Sequence, residues 1–223
     1  MTQLETELYS VREELTSMWG LVHSQLQKTL SALINLDRDL AHEVVSIEKR
    51  VNAAELKIDR DCEDVLALFS PVAVDLRFLL AALKINTNLE RIADIAEGIS
   101  KFVINADSSF KPQLLETTKV VEMFSEAIKM LEETLNAFEN GDASSVRAVF
   151  KQDDFLDDIN RNANDFTIEY LKNAPEDLDQ ALYVVSIIRK LERVGDHVKN
   201  IAEEIIFYLE AMVLKHSSKK SLQ

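Results

Sequence analysis

Apolar residues recur every three or four positions along nearly the whole chain, with Glu, Lys and Ala filling the intervals. One stripe runs through Phe78, Ala82, Ile85, Leu89, Ile92, Ala96, Ile99 and Val103, and another through Val184, Ile188, Leu191, Val194, Val198, Ile201, Ile205 and Tyr208. A stripe on the helical period buries one side of a helix and leaves the other polar. The pattern breaks near Leu36 to Asp39, at Ser70-Pro71, over Asn105 to Pro112, at Asn140-Gly141-Asp142 and at Ala174-Pro175. Gly, Pro, Asn and Asp at these points are turn chemistry. Six long helical segments lie between the breaks.

Several predicted starts have local support. Ser70 is expected to cap the third helix with Pro71 at its first position, Asp142 to open the fifth after an Asn-Gly turn, and Pro175 to lead the acids of the sixth. Short links between long amphipathic helices favour antiparallel neighbours, so each run of three is expected to fold up-down-up. The fold class is all-α: two tandem three-helix bundles, residues 1–108 and residues 109–223, built from six long antiparallel helices.

The two runs also match each other. LERIADIAEGI, residues 89–99, returns as LERVGDHVKNI, residues 191–201, with Leu, Glu, Arg, Asp and the closing Ile identical. One helix earlier, Glu48-Lys49-Arg50-Val51-Asn52 lines up with Asp153-Asp154-Phe155-Leu156-Asp157. A duplicated three-helix unit accounts for both.

A helical core needs only the apolar letters of this repeat, and the acids need another reason. Glu90 with Asp94, and Glu192 with Asp196, stand four apart on one strip of their helices, where like charges weaken an isolated helix by a few tenths of a kcal/mol. Glu97 and Glu203 extend the strips. The preceding helices supply Glu48 with Asn52 and Asp153 with Asp157. If these pairs face each other across antiparallel neighbours, each half gathers oxygen donors suited to Mg²⁺, Ca²⁺, Mn²⁺ or oxidised iron. The alternative is a solvated flank with surface ion pairs such as Arg91 to Asp94 and Arg193 to Asp196.

Composition narrows the remaining classes. Four Gly and three Pro in 223 residues argue against a loop-rich fold, and a formal charge of −14 argues against nucleic acid, since only Lys215, Lys219 and Lys220 form a short basic tail. The acidic amino-terminal stretch is unlike a signal peptide, and no segment has the apolar length to span a bilayer. The single cysteine, Cys62, forms no internal disulfide, and a cytoplasmic location is expected. His23, His42, His197 and His216 read as surface residues, and Trp19 as core. Arg77 is open to pairing with Asp75 or to a partner contact. No Glu-x-x-His pair, phosphate-cradling glycine loop, Cys-x-x-Cys or nucleophile elbow occurs, so an enzyme is disfavoured.

The segments VNAAELKID, SPVAVDLRFLLAALK and LERIADIAEGI, together with LERVGDHVKNIAEEI, resemble the PhoU family of regulators of bacterial phosphate-specific transport. The resemblance covers the chain except its termini. It implies two three-helix bundles related by a pseudo-twofold, and multinuclear iron or zinc sites at Glu/Asp-x-x-x-Asp motifs. Matched by position, the metal residues are Glu90, Asp94, Asp153, Asp157, Glu192 and Asp196, with Glu48 and Asn52 at the remaining places. Asn52 stands where a second acid is expected, so the first-half site is expected to be the weaker. The resemblance further implies a non-enzymatic negative regulator of phosphate uptake and starvation signalling. It would dock on the ATPase subunit of the phosphate ABC transporter and on a sensor histidine kinase, reaching the membrane only through them, and a homodimer is expected. The other readings are a carboxylate-clustered phosphohydrolase and a metal-free helical scaffold.

Overall fold

The computed structural model describes residues 1–214, so His216 and the basic tail residues Lys219 and Lys220, with Lys215, lie outside the described residues. Three long helices make the first half: α1 (Gln3–Asn35), α2 (Arg38–Phe69) and α3 (Ala73–Asn105). The second half contains α4 (Pro112–Thr117), α5 (Val120–Asn140), α6 (Ala143–Val146), α7 (Val149–Leu171) and α8 (Leu178–Glu210). A single 3₁₀ turn, Pro175–Asp177, leads into α8. No strand occurs among the described residues. The fold is therefore the expected pair of three-helix bundles, with two of the six rods broken.

Those breaks have local causes. In the fourth rod the buried Thr118 hydroxyl donates to the Leu114 carbonyl at 2.7 Å, and Lys119 takes a left-handed φ of 57° that separates α4 from α5. In the fifth, Asp142 accepts from the backbone N–H groups of Ser144 and Ser145 and caps the one-turn α6, as its place after Asn-Gly suggested. The chain turns again at Arg147 and Ala148 before α7 begins.

Other boundaries follow the polar punctuation, with one correction. Leu36 ends α1 in the left-handed region, and Asp37 caps α2 by accepting from the Leu40 N–H at 2.9 Å. Ser70, expected to open the third helix, instead closes the second with φ 47°; α3 starts at Ala73 after an extended Val72. A Ser in the left-handed region cannot at the same time supply the extended backbone of an N-cap. At the amino end, Thr2 and Glu5 form a capping box: the Thr2 hydroxyl accepts from the Glu5 N–H, and the Glu5 carboxylate accepts from the Thr2 N–H.

Within the first half α2 packs on α1 and α3; within the second, α7 packs on α5 and α8. The halves meet through α3 on α8 and α1 on α5, and one hydrophobic core runs through both. Trp19 is fully buried in it, as expected, and its indole N–H donates to the Leu131 carbonyl. Arg77 lies at this junction too, its Nε donating to the Tyr208 carbonyl at 3.5 Å and tying the start of α3 to the end of α8. No described helix is long and apolar enough to cross a membrane.

Candidate acidic centres of the two halves

The repeated acids sit where the second helix of each bundle packs on the third: α2 on α3, and α7 on α8. Glu48 and Asp153, matched in the sequence repeat, are both only 5% exposed, far deeper than a solvated flank. Each lies three residues before an apolar core position, Val51 and Leu156, and so on the flank of the buried stripe of its helix. Their partners on the third helix are shallower. Glu90, Glu192 and Asp196 are half-buried and Asp94 is exposed, as is Asn52 on α2. Asp157 is half-buried beside Asp153 and Glu192.

In the first half, four acids press on one another. One Glu48 oxygen accepts from the Gln25 amide of α1 at 3.2 Å, and the other, Oε1, is buried with no partner. Burial pushes the Glu48 carboxyl up from 4.5 to about 7, with Asp94, Glu97 and Glu90 adding their negative charge against the relief from Gln25. Glu90 is raised by burial and by Asp94, and its Oε2 meets the Arg91 guanidinium at 3.4 Å without a hydrogen bond. Arg91 reaches Asp94 at 3.6 Å from an exposed position, and Glu97 is engaged one turn on by Lys101 at 2.6 Å. These cations flank the acids from outside. Deeper along the same seam, the buried Asn86 amide donates to Asp59 and to the Glu55 carbonyl, both at 2.9 Å.

The second half is built differently. Lys199, one turn after Asp196, donates to Asp153 Oδ2 and to Asp196 Oδ1, each at 2.6 Å. Burial lowers the Lys199 pKa, but the hydrogen bonds from the two carboxylates outweigh it and hold the ammonium well above the usual lysine value. Burial also raises Asp153, against the pull of Lys199. The ammonium bonds both carboxylates at 2.6 Å, short charge-assisted contacts that favour their ionised forms. Glu192 is raised by burial and by Asp196, Asp157 and Asp153.

Among the aligned differences between the two centres, one reverses a charge. Glu97 in LERIADIAEGI is Lys199 in LERVGDHVKNI, and the change reverses a charge inside the acid group. That signal is legible in the sequence, yet the acids alone draw the eye. Gln25, which no motif marks, was also silent there. His197, expected at the surface, is half-buried: its Nδ1 lies 2.9 Å from Asn88 Oδ1 on α3, across the junction of the halves, and burial lowers its pKa.

Among the described residues no three Asp, Glu, His or Cys side chains gather into a set that could hold a metal as they stand. The fit of an ion therefore rests on the donors. The first half offers oxygen donors, with Arg91 and Lys101 reaching Glu90, Asp94 and Glu97 and a buried Glu48 oxygen left without a partner, which is the chemistry hard cations take. The second half already holds a positive charge between Asp153 and Asp196.

The PhoU domain matches this chain twice, over residues 15–103 and residues 120–205, one copy in each bundle. A phosphate-specific transport system accessory protein PhoU homologue of Pseudomonas aeruginosa is 33% identical over 215 residues, spanning 96% of this chain and 88% of the relative. The Escherichia coli accessory protein PhoU is 29% identical over 214 residues, again 96% of this chain and 88% of the relative. The crystal structure of Pseudomonas aeruginosa PhoU superposes with a TM-score of 0.84, covering 94% of this chain and 100% of that one at 33% identity. The phosphate transport system regulatory protein PhoU of Streptococcus pneumoniae shares the fold, with a TM-score of 0.80 at 24% identity over 95% of this chain and 99% of that one. Two domain matches, one on each bundle, with near full-length relatives, establish that the chain belongs to the PhoU family.

Proposed function

We propose that this chain is a cytoplasmic, non-enzymatic negative regulator of phosphate uptake and phosphate-starvation signalling. It acts as a homodimer by docking on the ATPase subunit of a phosphate transporter and on a sensor histidine kinase. The observation that carries this reading is the doubled PhoU domain, aligned with accessory proteins of phosphate-specific transport over 96% of the chain. A body of long, closely packed helices with few loops offers extended faces for docking on other domains.

The same reading gives the first-half acids a metal. Glu48, Glu90, Asp94 and Glu97 would hold it, with Asn52 at the exposed margin; iron and zinc are the expected ions, and Mg²⁺, Mn²⁺ and Ca²⁺ suit the same oxygens. The ion would supply positive charge where these carboxylates repel one another, and it would give the orphan Glu48 oxygen a partner. Because the Glu48 donor is buried, the exposed amide of Asn52 is no measure of the strength of this half.

The test is co-purification of the tagged full-length chain with the ATPase subunit and the kinase from cells grown in high and low phosphate, alongside phosphate uptake in a deletion strain. Retention of both partners, with uptake rising on deletion, is expected. A chain that retains neither partner in either medium, and whose deletion leaves uptake unchanged, refutes the regulatory role.

A further inference from the structure

The two halves of this chain carry the same acid motif around opposite central charges, and that contrast bears on how many metal sites the protein has. We propose that Lys199 is the resident cation of the second half, so that its acids take up no metal ion while Lys199 is present. The proposal deepens the metal reading of the first half and rests on it only for the comparison between halves.

The geometry is that of substitution. The Lys199 nitrogen lies 2.6 Å from an oxygen on α7 and 2.6 Å from another on α8, so it bridges the two helices that would have to share an ion. Oxygen ligands approach Ca²⁺ at about 2.3–2.6 Å and smaller divalent ions more closely. An ion bridging the same two oxygens would therefore coincide with the ammonium.

The remaining Asp153 oxygen is no better placed. Oδ1 is buried without a hydrogen-bond partner and packs against α8 at Gly195, 3.0 Å from where a side chain there would begin. Expelling Lys199 would strip a carboxylate that is 5% exposed of its one cation, and a tethered cation needs no free-ion concentration to stay in place. In the first half, Glu97 occupies the aligned position and is drawn outward to Lys101, leaving Glu48 with an open oxygen and no charge in contact.

The experiment uses the full-length protein stripped with chelator, then loaded separately with Mn²⁺ and Zn²⁺, with bound metal counted by elemental analysis after dialysis. Wild type, Glu90→Gln with Asp94→Asn, Glu192→Gln with Asp196→Asn, and Lys199→Gln are compared. Metal in the wild type should be lost with the first pair and kept with the second. Lys199→Gln should gain metal, and that gain should vanish when the Glu192 and Asp196 substitutions are added. Lys199→Arg, which keeps the charge, should match wild type.

Loss of wild-type metal on substituting Glu192 and Asp196 overturns the proposal, as does a Lys199→Gln protein with no more metal than wild type. A wild type without metal beside a Lys199→Gln protein that binds it refutes the first-half site and sustains the role of Lys199. Absence of metal from every protein refutes both. If Lys199→Gln folds poorly in chelator, recovery of a cooperative melt with Mn²⁺ supports the proposal, and failure to recover with either ion refutes it.

Discussion

Asp153 Oδ1 lies 3.0 Å from the point at which a side chain on Gly195 would begin, and Leu156 Cδ2 lies 2.8 Å from it. A methyl group on residue 195 would press on both side chains, so glycine suits the close approach of α7 to α8 at this point. In the first half the aligned residue is Ala93, so α2 and α3 meet across a filled position.

This gives paired substitutions with the same sign. Gly195→Ala improves helix propensity by about 1 kcal/mol, but overpacking against two buried neighbours costs roughly 1–3 kcal/mol, and a net loss of about 1 kcal/mol is expected. Ala93→Gly removes a fully buried methyl group and should also cost about 1 kcal/mol through propensity alone. Urea unfolding of both variants checks this. A stabilised Gly195→Ala protein would show that α7 can shift without cost.

The junction of the halves supplies the second prediction. Arg12 of α1 donates to the Phe138 carbonyl of α5 at 3.2 Å, and its guanidinium lies 4.9 Å from the Phe78 ring centre and 4.7 Å from that of Phe138. Arg12→Met keeps the apolar stem and loses the hydrogen bond and the cation–π contacts, for about 1–2 kcal/mol. Trp19→Phe loses the bond to Leu131 and part of a fully buried ring, for about 2 kcal/mol. Because these residues belong to a core shared by both halves, each variant should lower the midpoint of one common transition. Two separate transitions in calorimetry would contradict this.

The helices and the duplication were legible because they depend on periodicity, which Leu89 to Ile99 and Leu191 to Ile201 display without reference to anything distant. The breaks at Thr118–Lys119 and Arg147–Ala148 were not, since neither carries Gly or Pro and a threonine hydroxyl bonding its own helix leaves no pattern. The acid residues of the candidate centres were visible, but their depth was not. Glu48 and Asp153 share a helix flank with Val51 and Leu156, but how deeply that flank is buried depends on how α2 and α7 pack on their neighbours, which spacing does not give. Lys199 was written in the alignment; its meaning came only with the Asp153 carboxylate on another helix.

Glu48 makes the metal-free protein sensitive to pH. Its folded pKa of about 7 lies above the ordinary value of 4.5, so between those values the folded state binds more protons than the unfolded chain. Stability then falls as pH rises from about 4.5 to 7, and the contribution is fully present only below the lower value. Glu48→Gln keeps the shape without the ionisation. In chelator it should stabilise the protein at pH 8 by on the order of 2–3 kcal/mol, with little difference at pH 4.5, where the native glutamate is protonated. Equal effects at both pH values would rule out the buried ionisation as the cause.

Cys62 offers an independent reading of how often the first bundle opens. Its side chain on α2 is fully buried, and burial, with Asp59 and Asp61 nearby, pushes the thiol up to about 12. The thiolate is the reactive form, so at pH 8 the folded chain should react with a disulfide reagent such as DTNB only through opening of α2, whereas denaturant should release one thiol per chain at once. Trp19→Phe and Arg12→Met, which loosen the same core, should speed the reaction in proportion to their loss of stability if opening is global. Rapid labelling of the wild type, unchanged by either substitution, would place Cys62 in a locally mobile segment and contradict its position in the packed seam.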